Sequence, residues 1–232
     1  MQSLSTLKIL RLSHNLLSEI IASDLTELQH LQHLDLSNNL LKHLCKECLY
    51  ELTEIEVLDL SMNKISTIAH GAFDSISALK LLRLDGNALK DVNALFAPLP
   101  NLQWLNISYN NITWFDYALI PAQLEYLDLQ HNKITELGNY FNIQTELKLK
   151  TLDASNNLIE KLGPSSLPDS IELFFVNSNK ITHVAPGTFS TKSNISMVDL
   201  FDNLLSKIEL NSIHLSPVPE DRELPQFYVG GN

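Results

Sequence analysis

Apolar residues return along this chain in a single frame. The spacing L-x-x-L-x-L-x-x-N-x-L starts at Leu7 (LKILRLSHNLL) and returns at Leu31, Ile55, Leu79, Leu102, Leu124, Leu149, Ile171 and Ile195, with starts 24, 24, 24, 23, 22, 25, 22 and 24 residues apart. Within each copy the central residues alternate, so Leu10 and Leu12, Leu34 and Leu36, or Leu127 and Leu129 turn inward while Arg11, Asp35 and Asp128 turn outward. Period two over so short a stretch predicts one brief β-strand per repeat. Self-similarity at this period predicts stacked coils whose strands pair in parallel.

An asparagine stands where each strand ends: Asn15, Asn39, Asn63, Asn87, Asn110, Asn132, Asn157, Asn179 and Asn203. An inward amide offers two donors and an acceptor, enough to satisfy the backbone groups that a turn strands in its own coil and the next, so the column is expected to be structural. A second apolar set follows each turn, with Ile20 and Leu25, Leu44 and Leu49, Ile68 and Phe73, Leu162 and Leu167, Val184 and Phe189, and Ile208 and Ile213 each five apart. These are expected to fill the outer half of the coil, the aromatic ones as a stacked spine. LPQFYVGGN fits the same frame, so residues 224–232 read as the strand of a truncated tenth repeat ending on Asn232. The insertion HLSPVPEDRE before it is expected to bulge outward.

This pattern resembles the leucine-rich repeat. It implies an α/β repeat fold, a horseshoe solenoid with a parallel β-sheet on the concave face and a convex side that is irregular, 3-10 or short-helical. Residues 1–232 then form a single array of about nine full repeats plus the truncated tenth, with N- and C-terminal caps absent, and the chain reads as an excerpt of a longer one.

Composition narrows the role. Sixteen basic against 27 acidic residues give a net charge of -11, which argues against nucleic acid and favours protein partners. No apolar run is long enough to span a membrane, so direct membrane contact is not expected of this stretch. No G-x-S-x-G, no phosphate-cradling glycine loop and no paired carboxylates point to catalysis, and no cofactor is expected. His30 and His33 are the only close histidine pair, and no metal site is assigned to them. Cys45 and Cys48, a lone C-K-E-C on the convex side, read as two small buried thiols or a local disulfide.

Three N-x-[ST] sequons, at Asn106, Asn111 and Asn194, fall on positions that the frame turns toward solvent, as expected of a glycosylated ectodomain. The column between the strand leucines is half aspartate, which predicts a concave face suited to a basic partner. Trp104, Tyr109 and Tyr126 add aromatic groups to that face as candidate partner contacts. A lateral edge just past the ladder asparagines carries Lys64, Lys133 and Lys180. It is a second candidate, able to meet the acidic PEDRE stretch of another copy in a homodimer.

With the repeats laid out, S-x-N after the strand (LRLSHN, LDLSNN, LDLSMN) and the turns at Gly71–Phe73 and Gly187–Phe189 resemble Toll and Toll-like receptor ectodomains. ITWFDYALIPAQLEYLDLQHNKI and LSPVPEDRELPQFYVGGN look like the membrane-proximal repeats of the long arthropod Toll receptors, Tollo type. The resemblance implies a single-pass receptor whose ectodomain, outside the plasma membrane, binds a protein ligand or second receptor in innate immune or developmental signalling. A secreted or adhesion-type repeat protein and an intracellular repeat scaffold remain as alternatives.

Overall fold

The strands form where the frame places them, and each stops after three residues for a visible reason. The residue just ahead of the ladder asparagine takes a left-handed backbone: His14, Asn38, Met62 and Tyr109, then His131, Asn156, Ser178 and Asp202, have φ between +52° and +56°. Gly86 and Gly231 hold the same place in their own coils at +67° and +73°. That reversal ends the strand and swings the chain toward the outside of the coil. The computed structural model describes residues 4–93, 95–215 and 224–232. The PEDRE insertion and its expected outward bulge lie outside them.

Packing divides the chain into two units, Met1–Asn111 with Leu119–Leu124, and Ile112–Ala118 with Glu125–Asn232. In the first, strands Ile9–Arg11, His33–Asp35, Val57–Asp59, Leu81–Arg83 and Trp104–Asn106 pair in parallel, with Leu10, Leu34, Leu58, Leu82 and Leu105 in register. In the second, Tyr126–Asp128, Thr151–Asp153, Leu173–Phe175, Met197–Asp199 and Gln226–Tyr228 do the same, with Leu127, Leu152, Phe174, Val198 and Phe227 aligned. Equivalent residues of successive repeats therefore stand side by side, as a leucine-rich repeat solenoid requires.

The inward column is the core of each unit. Leu58, Leu82, Leu105, Leu127, Leu152 and Phe174 are all fully buried, each worth about 1.5–3 kcal/mol relative to exposure. On the outer side the coils form short parallel pairs that the alternation did not announce: His43–Leu44 with Thr67–Ile68, and Lys161–Leu162 with His183–Val184. Single 3-10 turns, such as Ala22–Asp24 and Pro164–Ser166, complete the coils. The aromatic spine is local rather than continuous. Phe73 stacks on Phe96 at 6.4 Å, whereas Phe189 meets the inward strand residue Phe227 edge-on. Ile208 departs from its expected core role and stands 43% exposed, at a position where no outer strand forms.

The ladder amides hold the turns, though toward the preceding coil rather than the next. Asn39 Nδ2 donates to the Leu12, Leu36 and Ser37 carbonyls at 2.9–3.1 Å, and its Oδ1 accepts the Leu17 N–H at 3.0 Å. Asn63, Asn110, Asn157, Asn179 and Asn203 are buried and repeat the donor arrangement. Asn132 is buried and accepts the Ile112 N–H, and Asn87 bonds Leu60 and Leu84 in the same way. Asn15, in the first coil, is exposed and, among the described residues, bonds only Leu12 and Ser13 of its own coil. Asn232 reaches Leu200 and accepts from Leu205.

Candidate interaction surfaces

The aspartate column is not an idle acidic stripe. One carboxylate oxygen of each residue folds back over the end of its strand and accepts the N–H two residues on: Asp35 from Ser37, Asp59 from Ser61, Asp128 from Gln130, Asp153 from Ser155 and Asp199 from Phe201, all at 2.9–3.0 Å. Ser37 and Ser61 add their hydroxyls to the same oxygens. Burial alone would raise the Asp35 carboxyl. The Ser37 hydroxyl and N–H, the Ser13 hydroxyl and the charge of Arg11 outweigh it and hold the group below its ordinary value. In the first unit Arg83 lies 3.4 Å from Asp59 and 3.2 Å from Asp85, so part of the negative charge is already neutralised within the sheet. These carboxylates therefore cap their own turns while keeping their charge, which Arg83 offsets at Asp59 and Asp85.

Asn106 belongs to that column and behaves like its aspartates. It is only 9% exposed and its Oδ1 accepts the Ser108 N–H at 2.9 Å. The frame turned it away from the core, but the folded-back head and the paired strand alongside bury it, so it does not face solvent as the sequence predicted. Asn111 and Asn194 are half-buried. Trp104 is half-buried, and Tyr109 is half-exposed because the left-handed turn lifts it from the strand. Tyr126, in the second unit, is half-buried. Burial first, then the charges of Asp128 and Asp153, raise its hydroxyl.

Cys45 and Cys48 are joined as a disulfide with Cα atoms 5.1 Å apart. The Cys45 N–H points at the Cys48 sulfur at 3.1 Å, which ties the loop after the outer strand. His30 Nδ1 lies 2.9 Å from Glu54 Oε1 on the next coil.

The lateral edge holds more than a row of charges. Lys64, Lys133 and Lys180 are exposed, but past Lys133 the second unit opens into a groove of about 660 Å³. Thr135, Glu136 and Tyr140 line one wall, Lys161 to Gly163 the floor, and His183 the far side. The cause is a local parting of two coils. Main-chain bonds join them at Leu158 N–H to Ile134 O and again at Asp169 N–H to Gln144 O, and between these there are none among the described residues. The following coil, by contrast, is laced on through Thr182 N–H to Glu160 O and Ala185 N–H to Leu162 O.

Buried polar groups hold the floor of this groove. Gly163 N–H donates to Ser166 Oγ at 2.9 Å, and Tyr117, fully buried, donates its hydroxyl to Ser166 O at 2.8 Å. Burial, then the charge of Asp116, pushes that hydroxyl far up, so it remains a donor. Lys192, also buried, donates to Pro164 O at 3.3 Å and pairs with Asp169. The opposite wall is fixed by Asp116, whose Oδ2 accepts the Tyr140 N–H at 2.9 Å, and by Gly138 N–H donating to Phe115 O at 3.1 Å. Trp114 stacks on Tyr140 at 6.4 Å. These two and Phe141 are 43%, 61% and 72% exposed. None of the three was singled out from sequence, because they lie in loops outside the repeat frame. The one available signal was the run of aromatic residues on either side of an irregular 22- and 25-residue repeat spacing.

Comparison with known proteins agrees with the geometry. A family described as leucine rich repeat matches residues 29–89 and 53–112, and a second of the same description matches 6–28, 123–142 and 148–170. Toll-like receptor 7 of Drosophila melanogaster is 49% identical over 148 residues, which cover 64% of this chain and 10% of the receptor. Human lumican is 32% identical over 176 residues, covering 64% of this chain and 52% of lumican, so the chain spans a tenth to about half the length of these relatives. Among solved structures, the leucine-rich repeat domain of APL1B superposes with a TM-score of 0.78 at 22% identity, over 96% of this chain and 63% of that one. The TLR13–ssRNA13 complex superposes at 0.65 and 22% identity over 82% and 31%. Repeat frame, parallel strand register, asparagine ladder and relatives converge: the chain belongs to the leucine-rich repeat family, with repeats related to those of Toll-like receptors.

Proposed function

We propose that this chain is a protein-recognition module, part of the extracellular ectodomain of a Toll-type receptor that binds a protein ligand or a second receptor. The observation that carries this is the 49% identity to Toll-like receptor 7, well above the 32% to lumican, over the same share of the chain. The net charge of -11 favours protein over nucleic acid as the ligand. A binding role also suits a fold whose chemistry is spent on its own turns, with the aspartate column and the asparagine ladder committed to backbone N–H and C=O groups.

Glycans are assigned to Asn111 and Asn194, which keep partial exposure, and not to the buried Asn106. Secretion from insect cells followed by intact-mass measurement before and after glycosidase is the test. Mass loss that Asn111→Gln and Asn194→Gln together abolish supports an extracellular role. Retention in the cell, or an unshifted mass, removes it. A secreted matrix protein of the lumican kind is the second reading, and its discriminating observation is a parent chain that continues into neither a membrane span nor a signalling domain.

A further inference from the structure

We infer that the groove floored by Gly163 is a docking site for an extended, net-basic segment of a partner polypeptide, which adds to the free edge of strand Lys161–Leu162. The inference rests on the recognition role proposed above and names the surface that performs it.

Four independent features converge on this occupant. The strand Lys161–Leu162 pairs with His183–Val184 on one side, and among the described residues no strand covers its other edge. That edge faces the space where the two coils part, and unpaired strand edges are templates for another extended chain. The volume, about 660 Å³, falls in the range of sites that take a peptide side chain or small ligand. At its floor a Cβ built on Gly163 meets nothing within 4 Å, so the space above the backbone is open.

The floor is also preformed. Two fully buried side chains, Tyr117 from two coils before and Lys192 from the coil after, hold the turn Pro164–Ser166. A site fixed in advance loses less freedom when a partner binds. At the rim, the stacked pair Trp114 and Tyr140, with Phe141 beside them in sequence, exposes aromatic surface of the kind that anchors protein contacts.

Charge selects the partner's sign. The titratable groups in the lining are Glu136, Glu160, Lys161, His183 and Tyr140, whose hydroxyl donates to Glu136, so two carboxylates meet one ammonium. The chain as a whole is strongly acidic, which steers a basic segment toward it.

The test pans a phage-displayed random-peptide library over the whole secreted chain. The expected result is enrichment of basic peptides carrying an aromatic residue, weakened roughly tenfold or more by Gly163→Trp and by Tyr140→Ala. Gly163→Trp fills the groove without straining the fold, since the residue is extended at φ -139° and its Cβ direction is open, so its melting temperature should match the parent. N-methylating alternate amides of the best peptide should weaken it similarly, because it removes the donors that pair with the strand edge. No enrichment, or peptides indifferent to Gly163→Trp or to N-methylation, overturns the inference. So does a dimer in sedimentation that Gly163→Trp abolishes, which would give the groove to a second copy. A partner whose affinity ignores Gly163→Trp leaves the recognition role standing and removes only this site.

Discussion

Asn157→Leu isolates what one ladder amide contributes. Asn157 is 5% exposed, its Nδ2 donates to Leu129 O, Ala154 O and Ser155 O at 3.0–3.2 Å, and its Oδ1 accepts Ile134 N–H at 3.0 Å. Leucine keeps the bulk and removes all four bonds. The Ile134 N–H is left unpaired, at about 1–3 kcal/mol, while the Leu129, Ala154 and Ser155 carbonyls each keep a second donor, from Asn132, Asn179 and the His131 N–H, and lose one bond of about 0.5–1.5 kcal/mol. The Ile134 N–H and the Leu129 carbonyl belong to the preceding coil, so the loss loosens two turns at once. The greater apolarity of leucine returns about 1–2 kcal/mol, leaving a net loss of about 3 kcal/mol, or roughly 6–12 °C in melting temperature for a chain of this size. Asn157→Asp separates hydrogen bonding from packing. It preserves shape but turns the donors into acceptors against carbonyls, so it should destabilise at least as much at neutral pH. The control is Asn156→Gly, one residue earlier, where φ is +55° and glycine is at ease. It should move stability by no more than about 0.5 kcal/mol. Guanidinium unfolding measures all three. If Asn157→Leu falls within the range of the control, or Asn157→Asp is mild, the amide is not what holds the turns.

Asp35 supplies a pH test. Its folded pKa is depressed, so the stability it adds is complete above the unfolded value, about 3.9, and is lost as pH falls through the lower folded value. Asp35→Asn should be less stable than the parent at pH 6, and the deficit should shrink as pH falls below the unfolded value. The deficit should be modest, because Asn106 shows that an amide oxygen can cap the same turn. Chemical unfolding at pH 6 and pH 2 decides it, and a deficit that does not shrink at pH 2 would mean the carboxylate's charge is irrelevant. Reducing Cys45–Cys48, whose loop closes over a separation of three, should cost no more than about 2 kcal/mol. A melt with and without reductant that showed collapse of the whole chain would refute so local a role. Gly138→Ala should cost about 1–3 kcal/mol, because its Cβ would come 2.8 Å from Phe115 O and 3.0 Å from the Tyr140 ring. A variant with an unchanged melting temperature would show that this wall of the groove yields.

What repetition states many times over was legible. Strand positions, the inward leucines and the asparagine column each recur in every coil, and a one-residue slip would turn a whole strand inside out, so the alternation leaves little freedom. What was not legible is where a side chain's head goes once its Cβ direction is known. Alternation correctly turned Asp35 and Asn106 away from the core, but it could not show that their oxygens bend back onto the Ser37 and Ser108 N–H groups. The aspartates of that column and Asn106 therefore also serve as turn caps. The groove was hidden for a different reason. Cys45, Ala69, Gly163 and Ala185 share one column, and sequence shows only that all four are small. In two of these places smallness serves tight closure, with the Ala69 N–H donating to Leu44 O and the Ala185 N–H to Leu162 O of the coil before. At Gly163 the equivalent N–H turns instead to Ser166 Oγ, and the neighbouring coil has drawn away after Tyr140, pulled toward Asp116. The same residue size thus seals one coil and opens another. The difference lies in which neighbour claims the backbone N–H, and a column of small residues cannot record that.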